Sequence, residues 1–432
     1  MGALNNFSNI TPKAITEAAE RYGTPLYIYD EALILERSNE CMKMPNAYGL
    51  TVRYAMKANS NKAVLKLIVD KGLHLDASSL NEVLRARLAG VKTDKIMLTT
   101  QETISDERRG TLQELLCDGL KYNICSLHQL RLVGDFAAQN NIDVGIRIHP
   151  GVGSGESATR NTGDDYSCFG VHLADLSELH EYAASKGIVF RHIHVHIGSG
   201  ADTDMWRQNI DIELNIIKEH FPNAETVSFG GGLKEARMPG ESAADITLLG
   251  NYAKQRIEAF YEETGRKLKM EIEPGTYIAA NSGYAVTRLI DKKKTARSNF
   301  IITDGGMEIN SRPLLYGSKH PIYIISQCGT KLVSSEFSAK EHDFEAVVAG
   351  KCCESGDCQT LDMDGHAIAR KMTQPEIGDI VVIGGAGAYC SSMAPYNYNS
   401  HQQAPEVMLT CDEELKLIRK RQTLEQMLEN EI

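Results

Sequence analysis

The sequence lacks several features that would fix its class early. No run of about 18 apolar residues occurs, so no membrane-spanning helix is expected. No Lys/Arg-rich stretch stands out against a net charge of −11, which makes nucleic acid and anionic membranes poor partners. The opening residues MGALNNFSNITPK have no basic segment followed by an apolar one, so they do not read as a signal peptide. Asn6 stands where a myristoylation signal wants Ser or Thr. The ten cysteines are scattered, and without a secretion signal they are expected to be free thiols in a cytoplasmic protein. Only Cys352, Cys353 and Cys358 lie close together, with no second pair or nearby histidines to make zinc spacing, so no metal is expected. No solenoid-type repeat appears.

What is present is the composition of a globular protein, 42% hydrophobic and 24% charged over 432 residues. That length suits two domains, one of them a large barrel. From about residue 50 to 275, short β-branched runs alternate with amphipathic stretches such as Lys62–Lys71 and Ser79–Ala89. The strand candidates are Val52–Met56, His74–Ala77, Lys95–Thr99, Lys121–Cys125, Val144–Ile148, Ile193–His196, Thr226–Phe229 and Leu268–Ile272. Eight βα units predict an α/β fold with a (β/α)8 TIM barrel, the alternative being a doubly wound open sheet. Beyond about residue 280, Phe300–Asp304, Phe344–Val348 and Asp379–Ile383 predict a second, mostly β domain of sandwich or barrel-like form. The expected division is 30–280 for the barrel, and 1–29 with 281–432 for the β domain. The tail Asp412–Ile432 reads as a charged amphipathic C-terminal helix.

Polar and glycine-rich residues follow the barrel strands, where active sites of such barrels lie. Lys57 ends the first strand and is either a Schiff-base lysine, its pKa lowered by partial burial, or an ordinary surface lysine. Gly230, Gly231 and Gly232 follow the seventh strand and read as an anion cradle or a plain loop. His196 precedes Gly198-Ser199-Gly200; its imidazole suits stacking on a flat cofactor and Ser199 suits a phosphate, or the histidine is simply a core residue. His192 and His194 share its alternation, but no Asp or Glu at ligand spacing supports a metal site. Glu273 ends the eighth strand and is either a carboxylate facing a pyridine nitrogen or an exposed turn residue. Cys353 is a proton donor or a structural thiol, and Tyr389 a phosphate ligand or a packed tyrosine.

In order, YAMKAN, HIGSG, SFGGGL, EPG, RPLLYG, CESGD and GAYCSSM resemble the diaminopimelate decarboxylase family of fold-type III pyridoxal-phosphate decarboxylases, from about residue 20 to 405. The resemblance implies a pyridoxal 5'-phosphate-binding barrel, a β domain that includes the first strand, and a head-to-tail homodimer with shared active sites. It implies Lys57 as the Schiff-base lysine, His196 stacked on the ring, and Ser199 with Gly230, Gly231 and Gly232 around phosphate. Glu273 would face the ring nitrogen, Asp76 would join the cofactor-binding set, and Tyr389 would touch phosphate and substrate. Cys353, the implied proton donor, and Asp357 would come from the partner subunit. Arg312, Tyr316 and Glu354 would grip the far end of the substrate. One departure stands out, because Thr276 follows EPG where the family usually carries an anion-holding arginine. The implied reaction is loss of CO2 from the D-configured carbon of meso-2,6-diaminopimelate to give L-lysine. D-Lysine or D-ornithine decarboxylation is the alternative that Thr276 raises, with an amino-acid racemase and a non-catalytic paralogue behind it.

Overall fold

The computed structural model describes residues 8–151, 162–163, 166–198, 203–328, 332–335 and 344–432. They fall into two compact units. One holds residues 37–235 and 243–277; the other collects the residues up to 36, then 236–242 and 278–432. After β1 (Leu26–Asp30), which belongs to the second unit, the chain runs through the strands of the first. These are β2 (Leu50–Ala55), β3 (His74–Ala77), β4 (Ile96–Thr99), β5 (Lys121–Ile124), β6 (Gly145–His149), the two-residue β7 (Val171–His172), β8 (His192–His194), β9 (Thr226–Ser228) and β10 (Lys269–Ile272).

The neighbours β5-β4-β3-β2-β10-β9-β8-β6 are all parallel, and β5 pairs back onto β6, so eight strands close into a barrel rather than an open sheet. β7 adds a short parallel extension to β6. Four of the connecting helices start at a side-chain cap. Asn61, Ser79, Ser126 and Asp245 accept backbone N–H bonds at the starts of Lys62–Asp70, Leu80–Leu88, Leu127–Gln139 and Ile246–Thr264. Gly187 and Gly265 end two helices in the left-handed conformation. Among the described residues, no helix is long and apolar enough to cross a membrane, and all ten cysteines are unpaired.

Barrels of this kind usually fill their interior with branched aliphatic side chains. Here the lower interior is ionic. Arg53 on β2 donates from Nε and Nη2 to Glu271 on β10, at 2.8 and 3.0 Å. His192 Nε2 lies 2.9 Å from the same carboxylate, and its Nδ1 lies 2.9 Å from Asn123 Oδ1. β8 neighbours neither β10 nor β5, so these contacts span the interior. Gly145 supplies the room they need, since a Cβ there would collide with Asn123 Oδ1 and His192 Nδ1. Burial alone would raise the pKa of Glu271, but Arg53 and His192 hold it well below the usual carboxylate range.

The second unit continues with β11 (Gly283–Lys294), β12 (Asn299–Thr303), β13 (Ile322–Ile325), β14 (Leu332–Ser335), β15 (Phe344–Ala349), β16 (Arg370–Met372), β17 (Ile380–Ile383), β18 (Glu406–Leu409) and β19 (Leu415–Arg419). They form a sheet in the order β14-β13-β17-β11-β1-β18-β19, with β12, β15 and β16 branching from β11. β1 runs antiparallel to β11 and parallel to β18. Leu26, Ile28, Tyr284, Val286, Val382 and Val407 pack into one buried cluster on this sheet. The tail corrects the sequence reading. Leu415–Arg419 is a strand paired antiparallel with β18, and only Leu424–Leu428 is helical, closed by a capping box from Thr423 and Gln426. Glu413, at φ 62°, turns the chain between β18 and β19, which a continuous helix could not allow.

Replacing Arg53 with Leu leaves Glu271 charged and buried. The variant should lose about 3–5 kcal/mol of stability at pH 7 in urea denaturation, as breaking a buried pair from one side does. Folding lowers the pKa of Glu271, so the pair's contribution is complete above the ordinary carboxylate value of ~4.3 and is lost as pH falls through the folded value. The gap between wild type and Arg53→Leu should therefore narrow below about pH 4; a gap that is flat with pH would assign the loss to packing.

Candidate active site

The C-terminal ends of the barrel strands gather seven of the expected residues. β2 passes into a single 3-10 turn, Met56–Ala58, which carries Lys57. Tyr54 Oη donates to the Asn59 carbonyl at 3.3 Å and Asn61 N donates to Asn59 Oδ1 at 3.0 Å, fixing that turn. Lys57 is exposed, not partly buried as its sequence setting suggested, because the turn carries it past the end of the strand. Asp76, near the end of β3, is buried, and its Oδ1 has no hydrogen-bond partner. Glu273 follows β10; its Oε2 lies 3.0 Å from His194 Nε2, and its Oε1 accepts from Ser228 Oγ at 3.3 Å.

Electrostatics set the two carboxyls apart. Burial would raise Glu273, but the charge and hydrogen bond of His194, then His196 and Lys57, hold it down at about 2. Asp76 is pushed well above its ordinary value, first by burial and then by the negative charge of Glu273. Two carboxyls in one dry site that titrate far apart form an acid and an ionised acceptor side by side.

His196 Nδ1 accepts from Gly231 N at 3.1 Å, so the neutral ring carries its proton on Nε2. Burial, then Arg147 and Lys57, push this imidazole well below its usual pKa. The glycine run fits between two backbones. Gly230 has φ +65°, and a Cβ there would lie 2.6 Å from the Val195 carbonyl oxygen; one on Gly231 would lie 2.5 Å from that of Glu273. Ser199 lies outside the described residues.

The sequence reading missed Arg147 and His194. Arg147, on β6, is buried with its Cζ 4.9 Å from the Phe169 ring centre, and its Nε has no hydrogen-bond partner. It acts electrostatically on Asp76, Glu273 and His196 alike, which the strand pattern alone gave no means of seeing. His194 was set aside for want of a nearby acid; its partner Glu273 is 79 residues away in the chain.

The remaining expected residues belong to the second unit. Arg312, Tyr316 and Tyr389 cluster, with both rings 5.8–5.9 Å from the Arg312 Cζ. Tyr389 has φ +58°, an uncommon conformation for a bulky residue and one that points to a functional constraint. Cys353, Glu354 and Asp357 share one turn. Asp357 has both oxygens under backbone N–H groups, Oδ1 accepting from Met307 and Oδ2 from Cys352, each at 2.6 Å, so it holds the turn together. Glu354 accepts from Ser355 Oγ, Gly356 N and Tyr398 Oη. The two adjacent cysteines differ. Cys352 is buried, its thiol 3.4 Å from Glu308 Oε2, and burial followed by Glu308 and Asp357 pushes its pKa up. Cys353 is exposed. Thr276 begins a four-residue helix, Thr276–Ala279, directly after the Glu273 turn.

The family profile described as "Pyridoxal-dependent decarboxylase, pyridoxal binding domain" matches residues 34–280. Diaminopimelate decarboxylase of Escherichia coli strain K12 is 32% identical over 98% of this chain and 98% of its own. A crystal structure of a diaminopimelate decarboxylase superposes with a TM-score of 0.88 at 30% identity, covering 99% of this chain and 98% of that one. The Helicobacter pylori diaminopimelate decarboxylase complexed with L-lysine gives 0.77 at 27% identity, covering 96% and 98%.

Two glycines separate backbone strain from crowding. Gly230→Ala meets both, and should cost about 2 kcal/mol or more in urea denaturation. Gly240→Ala shares a positive φ, +84°, but meets nothing within 4 Å. It should cost only about 1 kcal/mol, and equal losses would mean that the cradle is not tightly packed.

Proposed function

The chain belongs to the diaminopimelate decarboxylase family of pyridoxal-dependent decarboxylases, and we propose that it converts meso-2,6-diaminopimelate to L-lysine and CO2. The observation that carries this reading is the barrel mouth, where Lys57, Asp76, His196 and Glu273 act on one another electrostatically around a glycine cradle. The residues fit pyridoxal 5'-phosphate. Asp76 Oδ1 and Arg147 Nε are buried polar atoms without a hydrogen-bond partner, and the glycine run after β9, which has no room for a Cβ, is of the kind that cradles a phosphate.

When bound, that cofactor draws off the electron pair left by the departing carboxylate. Lys57, exposed at the end of its turn, would hold the cofactor through its amine. Glu273, held ionised, would face the ring nitrogen and favour its protonated form. His196 presents a neutral ring face, its orientation fixed by Gly231 N. Cys353, the exposed thiol of its pair, would be the proton donor to Cα, whereas Cys352 is turned to Glu308. Arg312, flanked by Tyr316 and Tyr389, takes the distal carboxylate. Tyr389 and Glu354 complete the substrate contacts.

The chain acts as a homodimer in this reading, with Cys353 of one copy serving the barrel of the other. Leu314, packed beside Gly356 of the turn that carries Cys353, is exposed, an apolar residue that suits a covered face. The relatives named as diaminopimelate decarboxylases favour this substrate over D-lysine or D-ornithine, despite Thr276.

CO2 release by the cofactor-loaded protein, compared across meso-diaminopimelate, D-lysine, D-ornithine and L-lysine, tests the proposal. Dominant turnover of meso-diaminopimelate is expected; dominant D-lysine or D-ornithine turnover would overturn it. Lys57→Ala should lose both turnover and the near-visible cofactor absorbance. Cys353→Ala should lower kcat about 10²–10⁴-fold while Cys352→Ala stays active. The reverse pattern would move the acid by one residue.

A further inference from the structure

Arg312 is held by two neighbouring side chains. It opens the short helix Arg312–Tyr316, ahead of Pro313, and its side chain is buried. Its Nε donates to His320 Nε2 at 3.3 Å, and its Nη2 donates to Ser318 Oγ at 3.4 Å. His320 is buried as well, with Nδ1 2.8 Å from the Gly384 carbonyl oxygen. A carbonyl can only accept, so Nδ1 carries the proton and Nε2 keeps its lone pair. A guanidinium can only donate, so that lone pair is the one thing the imidazole can offer it. The backbone oxygen of His320 is held in turn by Arg370 Nη1 at 2.6 Å. Burial, then Arg312 and Arg237, push the imidazole well below its usual pKa and keep it neutral.

Arginine recognises a carboxylate through a planar fork, and the fork is selective only when its plane is fixed. With Nε tied to His320 and Nη2 to Ser318, rotation about the last bonds of the side chain is stopped. We propose that His320 is a positioning residue: by accepting from Arg312 Nε it orients the guanidinium for the distal carboxylate, and so sets the preference for a diamino dicarboxylate over a diamino monocarboxylate. This rests on the proposed role of Arg312 at the distal end of the substrate.

The test uses the holoenzyme and two numbers, KM for meso-diaminopimelate and Ki for D-lysine, which shares the reacting end but lacks the distal carboxylate. Arg312→Gln tests the underlying reading. It should raise KM roughly 10–100-fold, as loss of a charge-assisted fork does, and leave Ki within about threefold. His320→Asn keeps a donor for the Gly384 carbonyl but has no acceptor at the Nε2 position. His320→Gln restores an acceptor there. Asn should raise KM about tenfold or more with Ki unchanged, and Gln should stay within about threefold of wild type on both, given the size of one such bond. A merely structural histidine would move KM, Ki and kcat together.

If Arg312→Gln shifts KM while His320→Asn does not, the positioning role is overturned and the distal-carboxylate reading stands. If Arg312→Gln leaves KM unchanged, that reading falls and takes the proposal with it. A measurement on the unmutated protein covers the case where the variants fail to fold. Imidazole 15N NMR should find His320 neutral with its proton on Nδ1, and a proton on Nε2 would overturn the proposal.

Discussion

Glu271 is a carboxylate enclosed by a barrel, and an enclosed charge must be matched, neutralised or expelled. Arg53 matches it with a two-point bond, and His192 adds a third contact from across the interior. Two residues further along, the same pattern repeats: Glu273 meets His194, just as Glu271 meets His192. Strand alternation sends residues two apart to the same face, so β10 and β8 form successive acid–imidazole rungs. The lower rung holds the barrel in register. The upper one, facing the mouth, carries an ionised acid whose position is inherited from the rung beneath it. A one-residue slip of either strand would turn both acids or both imidazoles out of the interior.

The strands and the residues at their ends were legible in the sequence because each announces itself locally. Alternation marks the strand, and a glycine or a lysine after it marks the mouth. What closes the barrel was not legible. His192 and His194 looked unpartnered because their acids are 79 residues away, and only the sheet order brings them together. Local chemistry also misled at the tail, where charge and scattered apolar residues suggested one helix. Leu415–Arg419 instead pairs with β18, because sheet hydrogen bonds outweigh the helical preference of so short a segment.

The CESGD turn shows how one motif mixes roles that a sequence cannot separate. Asp357 braces the turn through two backbone N–H bonds, Cys352 points inward to Glu308, and Cys353 is left outside. Three neighbours thus face in different directions, and only the backbone path decides which of them meets solvent. Arg312 depends through His320 on a distant part of the chain. The arginine's orientation rests on His320, whose own tautomer rests on the Gly384 carbonyl.

The placement of β1 has a consequence for how the protein is made. β1 sits between β11 and β18. Tyr29 on β1 and Glu406 on β18, bonded at 3.0 Å, are 377 residues apart. A ribosome delivers β1 ahead of every barrel strand and its neighbour β18 after all of them. At ~5–20 residues per second, β1 waits about 20–75 s with an unpaired edge. Its sequence is Leu-Tyr-Ile-Tyr-Asp, apolar and aromatic but for the last residue, which is the kind of segment that pairs with the wrong neighbour if left alone. Translation speed between β1 and β18 therefore bears on the yield of folded protein, and β1 is the segment a chaperone would need to shield.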